Sequence, residues 1–357
     1  MPSIHPSALC PPRTPDPLAA GPLRALARSL LIAAGLALAS ACHDPAGVSP
    51  GDPLRVEVLG LAPLDPAEGA YELWVRGDDD VPISLGRVGP EAGFDPLVVE
   101  FVVPETGARR VDLTLEPPGD VDDRPSRYRI LSGELDGARA ELSIEGSITD
   151  GRPFVVEPGH HSLFTSSNNV AEGYPSAENA GLWLFSIYVN INPHGRREVH
   201  LIPLDPAWLY EGWIVHRPGT ADEAWISYGK YRPDLYGFLT SRDNTGSGPF
   251  SGDEDFRNGG VEDVPGDEWT SNLFGLQLPG GLELPLALDA VDQVTGEAEW
   301  YHVITVEPAF DEAEPLTEER PFVLRPYRNP IGEGRASDPR RIVYQHNEPT
   351  GTVGPVR

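Results

Sequence analysis

The chain has 357 residues, a formal net charge of −28 and two cysteines, Cys10 and Cys42, both near the N-terminus. This charge excludes nucleic-acid binding, which depends on neutralising phosphates with Lys and Arg. The cysteine count excludes a disulfide framework or a cysteine-based metal site beyond Cys42. The 38 glycines and 39 prolines favour many turns and few long helices, which predicts an all-β fold.

Residues 1–41 are predicted to be a signal peptide, with the true start near residue 23. Arg24 and Arg28 precede an apolar run, "SLLIAAGLALA". A transmembrane helix needs about 20 apolar residues, so this shorter run is typical of a signal-peptide core.

The Ala-Ser-Ala-Cys sequence that ends at Cys42 resembles the bacterial lipobox. This resemblance implies cleavage before Cys42 and attachment of a lipid to its thiol. His43, which follows the cysteine, favours the outer membrane. We therefore expect a lipid-anchored protein of the bacterial cell envelope; an ordinary secretory signal cut after Ala41 is the alternative.

The rest of the chain divides into two predicted β domains. Residues 42–53 form a polar tether rich in Pro and Gly, and residues 54–148 hold short, alternating strand-like segments that form a first domain. Residues 149–180 are a connector or the final strand region of that domain. A second β domain spans 181–335, and 336–357 form a flexible tail. We expect two tandem β-sandwich-like domains.

One phrase occurs twice: "APLDPAEGAYELWV" at 62–75 and "IPLDPAWLYEGWIV" at 202–215. Two further blocks recur in the same order, a Ser-x-Gly block and a Glu-Pro block, which indicates two versions of one domain. The glycines permit a bulge in the return strand of a hairpin, and the prolines end a strand. The structural residues of this repeat are Tyr71, Trp74, Gly86, Glu116 and Pro117, and then Tyr210, Trp213, Gly229, Glu307 and Pro308.

These motifs resemble the extracytoplasmic domain of anti-sigma-K-type factors, whose pattern runs Tyr-x-Leu-Trp, Ser-x-Gly and Thr-Leu-Glu-Pro. The resemblance covers most of residues 54–335. Factors of that type also hold a zinc-binding cytosolic domain and a membrane helix, and this sequence shows neither. No sigma factor is therefore expected as a partner.

The sequence carries no familiar catalytic motif, so no enzyme activity and no cofactor are expected. His160 and His161 are adjacent and would point in opposite directions in an extended chain, so we predict a surface turn and not a metal site. The acidic runs Asp78–Asp80, Asp120–Asp123 and Asp253–Asp255 favour solvated turns, with weak Ca²⁺ binding as the alternative.

Three functions fit these observations. The first is a non-catalytic envelope protein that acts as an interaction or structural module. The second is a glycan- or cell-wall-binding lipoprotein that uses tryptophans and acidic loops of the second domain, where six of the chain's seven Trp lie. The third is an extracytoplasmic hydrolase that uses the Asp253–Asp255 carboxylates.

Overall fold

The computed structural model describes residues 48–64, 69–88, 96–165, 178–184, 199–233, 265–270, 278–309, 321–334 and 338–356. The predicted signal peptide, Cys42 and the acidic run Asp253–Asp255 lie outside the described residues. Within those ranges, no helix combines the length and the apolar character needed to cross a bilayer.

The all-β prediction is confirmed, because the strands of the described ranges form four antiparallel four-stranded sheets. The strands up to residue 142 are β1 (Pro53–Leu59), β2 (Ala70–Arg76), β3 (Pro82–Val88), β4 (Leu97–Val102), β5 (Arg110–Glu116), β6 (Arg129–Glu134) and β7 (Ala140–Leu142). The later strands are β8 (Gly159–Leu163), β9 (Gly181–Trp183), β10 (Trp208–His216), β11 (Ala224–Tyr231), β12 (Gly266–Glu268), β13 (Trp300–Pro308), β14 (Tyr327–Pro330), β15 (Arg340–Ile342) and β16 (Thr350–Pro355). Among the described residues, short 3-10 helices span Glu178–Ala180 and Pro279–Gly281.

The first sandwich combines sheets of order β3-β2-β5-β6 and β4-β1-β16-β7. Side chains alternate between the two faces of a strand, and β1 shows this clearly. Leu54, Val56 and Val58 are buried in the core, whereas Arg55 and Glu57 face outward.

The second sandwich combines sheets of order β11-β10-β13-β14 and β12-β9-β8-β15. Its core holds Ile214, Ile304 and Val306 together with several large aromatic side chains. Most buried hydrophobic residues of both sandwiches belong to one continuous cluster. The rings of Tyr128 and Trp208 meet edge to face across the junction, with centroids 6.2 Å apart.

The structure corrects two of the predicted boundaries. The segment predicted as a flexible tail, 336–357, contains β15 and β16, and Val353 of β16 lies in the first core. The segment is polar by composition, but Thr350 and Thr352 face outward while Val353 faces inward, so it alternates as a strand does. Residues 149–180 contain β8, which pairs with β9 and β15 and therefore belongs to the second sandwich and not to the first.

Candidate functional site

Each repeat hairpin contains a β-bulge at the same point. In the first sandwich the β2–β3 register shifts between Leu73 and Trp74, and in the second the β10–β11 register shifts between Gly212 and Trp213. Gly86 and Gly229 lie opposite these shifts with φ of 117° and 116°, a left-handed conformation that glycine adopts without the steric cost of a Cβ.

A tryptophan–threonine–glutamate chain of hydrogen bonds lies on the face of each sheet that points away from the core. The indole Nε1 of Trp74 donates to Thr114 Oγ1 at 2.9 Å, and the Thr114 hydroxyl donates to Glu116 Oε1. Glu116 Oε2 accepts from the backbone N–H of Ser126 at 3.1 Å. A carboxylate at the strand end thus holds the loop that follows Pro117.

The second sandwich repeats the tryptophan–threonine–glutamate part of this chain with the same atoms. Trp213 Nε1 donates to Thr305 Oγ1 at 3.0 Å, and the Thr305 hydroxyl donates to Glu307 Oε1. Glu307 Oε1 accepts from the backbone N–H of Phe322 at 2.9 Å. Pro308 follows Glu307 directly and ends β13.

The repeat tyrosines and the glutamates beside them also have equivalent partners. Tyr71 Oη donates to the carbonyl of Ala62, and Tyr210 Oη donates to the carbonyl of Ile202, both at 3.0 Å. The carboxylates of the adjacent glutamates accept from serine hydroxyls of the return strand, in the pairs Ser84–Glu72 at 2.5 Å and Ser227–Glu211 at 2.7 Å.

These contacts give the repeat residues a structural role. Burial raises the pKa of Glu116, opposed by its hydrogen bonds from Thr114 and from the backbone of Ser126. The glutamates have lost part of their solvation and are held by donors from their own sheet. Their hydrogen bonds hold strands and loops in place.

The two sandwiches differ on the same outward face, beyond the shared hydrogen bonds. In the first, Arg76 and Arg110 surround the buried carboxylate of Asp112, with Nε–Oδ2 distances of 3.0 and 3.3 Å. The strand registers place Val215, Tyr301 and Val303 of the second sandwich at the positions of Arg76, Arg110 and Asp112, in that order.

We call the corresponding surface of the second sandwich the aromatic face, defined by Trp213, Trp225, Tyr301, Val215 and Val303. The rings of Trp213 and Trp225 meet edge to face, with centroids 5.9 Å apart. Trp225 and Tyr301 keep part of their surface in solvent. Two guanidinium groups lie over these rings: Arg325 is 4.6 Å from Trp225, and Arg328 is 5.2 Å from Tyr301.

The core of the second sandwich contains a polar cluster that the sequence did not reveal. His161, predicted to lie in a surface turn, is fully buried on β8 because that segment is an inner strand, whereas His160 is half-buried. His161 Nδ1 lies 3.2 Å from His302 Nδ1, and His302 Nε2 lies 2.8 Å from Tyr228 Oη. The alternation of "WYHVITVE", which places Trp300 and Ile304 inward, was the available signal for His302.

Burial keeps both imidazoles neutral. Loss of solvation lowers the pKa of His302 to about 3 and brings the pKa of His161 well below its usual range. His161 Nε2 has no hydrogen-bond partner among the described residues. Nowhere in the described ranges do three or more His, Cys, Asp or Glu side chains form a group that could hold a metal ion.

The acidic turns of the first sandwich have local partners. Asp79 Oδ1 accepts from the backbone N–H of Val81 at 3.2 Å, and Asp122 Oδ1 accepts from that of Arg124 at 2.7 Å. Asp120 Oδ2 lies 3.4 Å from Arg87. These contacts describe Asx-type turns. Solvated turns stay the prediction for these acidic runs, with weak Ca²⁺ binding as its alternative.

Comparison with known proteins gives one family. A family model described as anti-sigma-K factor rskA, C-terminal, matches residues 33–128. No curated protein and no solved structure matches the chain. The match reaches from before β1 to the residue that precedes β6, and the internal repeat carries the same hydrogen-bonding framework into the second sandwich. The protein therefore resembles the extracytoplasmic domain of anti-sigma-K factors, a likeness that supports a regulatory or interaction module.

Proposed function

We propose that the protein is a non-catalytic module of the bacterial cell envelope, anchored through a lipid on Cys42, that acts by binding a partner. The observation that carries this proposal is the difference between two otherwise equivalent faces. The framework around Trp74 and Trp213 is the same in both sandwiches, while the adjoining surface is ionic in one and aromatic in the other. Function is carried by sites that vary on a constant framework, so we expect the partner to bind at the divergent face.

The anchor is tested at the mature N-terminus. The apolar run and the small residues before Cys42 lead us to expect a diacylglyceryl-modified Cys42 in mass spectrometry of the purified protein. The Cys42→Ser variant should leave the membrane fraction. An unmodified Cys42 with a free amine, or unchanged fractionation of Cys42→Ser, would contradict the proposed anchor.

The aromatic face supports a second candidate, a lipoprotein that binds a glycan or another cell-wall component. Trp225 and Tyr301 are partly exposed rings of the kind on which sugars stack, and the guanidinium groups of Arg325 and Arg328, which lie over them, would supply hydrogen-bond donors to a sugar. A glycan array with the mature protein tests this function directly.

The matched variants for that array are Trp225→Ala and Pro82→Ala, because Pro82 occupies in the first sandwich the register position of Trp225 in the second. Glycan binding should fall at least tenfold in Trp225→Ala and stay unchanged in Pro82→Ala. Equal glycan binding by both variants would show that the aromatic face does not bind the glycan.

The binding role itself is tested in cells with a photo-crosslinking amino acid at Tyr301 or, as the control, at Val98, which is exposed on β4. A discrete adduct from Tyr301 and none from Val98 would support binding through the aromatic face. Absence of any adduct from Tyr301, together with an empty glycan array, would contradict the proposal. The hydrolase alternative depends on Asp253–Asp255, outside the described residues.

A further inference from the structure

The two sandwiches have the same strand plan with one consistent exception. Adding eight to the strand numbers of the sheet β3-β2-β5-β6 gives the sheet β11-β10-β13-β14. In the remaining two sheets, β4, β1 and β7 of the first sandwich likewise correspond to β12, β9 and β15 of the second, which occupy the same places. The exception is the strand between β1 and β7, and its counterpart between β9 and β15.

That position should be filled by β8 in the first sandwich and by β16 in the second, if each half of the chain folded on itself. Instead β16 pairs with β1 and β7, and β8 pairs with β9 and β15, all antiparallel. We infer that the protein is a duplicated eight-stranded unit whose eighth strands are reciprocally exchanged, so that β16 is a strap that closes the first sandwich.

The side chains of the two strands fit the exchanged places. His161 of β8 needs a polar partner once buried, and His302 with Tyr228 provides one in the second core. The register position of His302 corresponds in the first sandwich to Val111, which has no polar side-chain atom. An imidazole buried there without a hydrogen bond would cost free energy, so β8 is suited to the second core.

The first sandwich in turn selects β16. A Cβ at Gly351 would lie 3.1 Å from Leu142 Cδ1 and 3.2 Å from the carbonyl of Glu57, so the place between β1 and β7 is narrow at this point. Val353, two residues on, enters the same core as Val56, with which it is paired. β8 also has a glycine, Gly159, at the register position of Gly351, so the two strands differ at the next inward position, where β16 has Val353 and β8 has His161.

The exchange ties the first sandwich to a distant part of the chain. The first sandwich is completed only by β16, which follows all strands of the second, whereas the strands β8 to β15 of the second sandwich follow one another along the chain. Release of β16 would expose unpaired edges of β1 and β7, which are binding sites for extended peptides. The strap is thus the element whose position decides whether the first sandwich is closed.

Disulfide cross-linking of the full chain, with Cys10 and Cys42 replaced by Ser, tests the exchange. Glu57 and Thr352 are directly paired, and both side chains point outward, within the Cα separation that a disulfide tolerates. Glu57→Cys with Thr352→Cys should form an intramolecular disulfide almost completely under mild oxidation. The matched control is Glu57→Cys with His160→Cys, because His160 is on the strand that would fill this place without the exchange.

The readout is the mobility of the oxidised and reduced monomer on a denaturing gel, and a far-ultraviolet circular dichroism spectrum confirms that both double variants are folded. A cross-linked monomer from the Thr352 pair and none from the His160 pair supports the exchange. A cross-linked monomer from the His160 pair, disulfide-linked dimers alone, or no cross-link from the Thr352 pair in a folded protein would overturn it.

Discussion

At the scale of single residues, the two repeat tryptophans lie on the faces of their sheets that point away from the core, yet each is only 1% exposed. Alternation along β2 predicts that Trp74 points away from Tyr71, and this is where the residue lies. Whether such a Trp is covered depends on Thr114, Glu116 and the loop beyond them, which come from a distant part of the chain. Local sequence carries no information on that contact.

The threonine that accepts the indole N–H provides a first prediction. Thr114→Val or Thr305→Val removes the acceptor of the Trp and the donor to Glu116 or Glu307. A buried polar group left unpaired costs about 1–3 kcal/mol, so each variant should lower the free energy of unfolding by that amount in urea titrations.

The control is Thr352→Val, on the exposed face of β16, which should change stability by no more than about 0.5 kcal/mol. Losses at Thr114 and Thr305 no larger than at Thr352 would show that the Trp–Thr–Glu chain has no stabilising role.

The buried histidine pair provides a second prediction, on pH. The pKa of His302 falls from 6.5 to about 3 on folding, and that of His161 falls as well. Below pH 6.5 the unfolded chain therefore binds more protons than the folded one, so stability is lost as the pH falls toward 3. His302 alone should remove about 2 kcal/mol between about pH 7.5 and 5.

Urea unfolding at a series of pH values measures this loss. In His302→Leu the part of the slope due to His302 should disappear, although stability at neutral pH also falls because Tyr228 loses its partner. The control is Tyr228→Phe, which also removes the Tyr228–His302 contact but leaves His302 buried, so it should keep the wild-type slope. A slope in His302→Leu as steep as in the wild type would contradict burial of a neutral imidazole.

At the scale of elements, the sequence indicated which strands form the repeat but not where the eighth strands lie. "YELW" and "YEGW", with their serine and Glu-Pro blocks, predicted the hairpins because large aromatic residues recur in order. β8 and β16 carry "GHHSL" and "TGTVGP", short segments with little apolar signal. Their pairing is decided by long-range contacts, the part of a β fold that local patterns specify least.

The packing of one strand against the next provides a third prediction. A Cβ at Gly212 would overlap the ring of Tyr228, which crosses the bulge in the second hairpin. Gly212→Ala should therefore displace Tyr228 from His302 and cost about 1–3 kcal/mol through overpacking. Thermal or urea unfolding measures this loss of stability. The control is Gly354→Ala, where the added Cβ meets nothing within 4 Å. Equal stability of the two variants would refute the close contact.

At the scale of the whole molecule, the sequence predicted two sandwiches but not their fusion. Two tandem domains are expected to fold separately when few contacts cross their boundary. Here the cores are continuous, and Tyr327 Oη of the second sandwich donates to the carbonyl of Val155 in the segment between them at 3.1 Å. Because β16 closes the first sandwich, a separately expressed first half would lack a strand. Unfolding of the intact chain is therefore the informative measurement.

The most direct test of the account is to compare Trp74→Ala and Trp213→Ala by urea unfolding of the full chain. If the two tryptophans are equivalent parts of one duplicated and fused structure, each variant should lose about 3–5 kcal/mol, the cost of removing a large buried side chain. Both should also shift the same single transition. A loss below about 1 kcal/mol at either position, or two transitions of which each variant moves only its own, would contradict it.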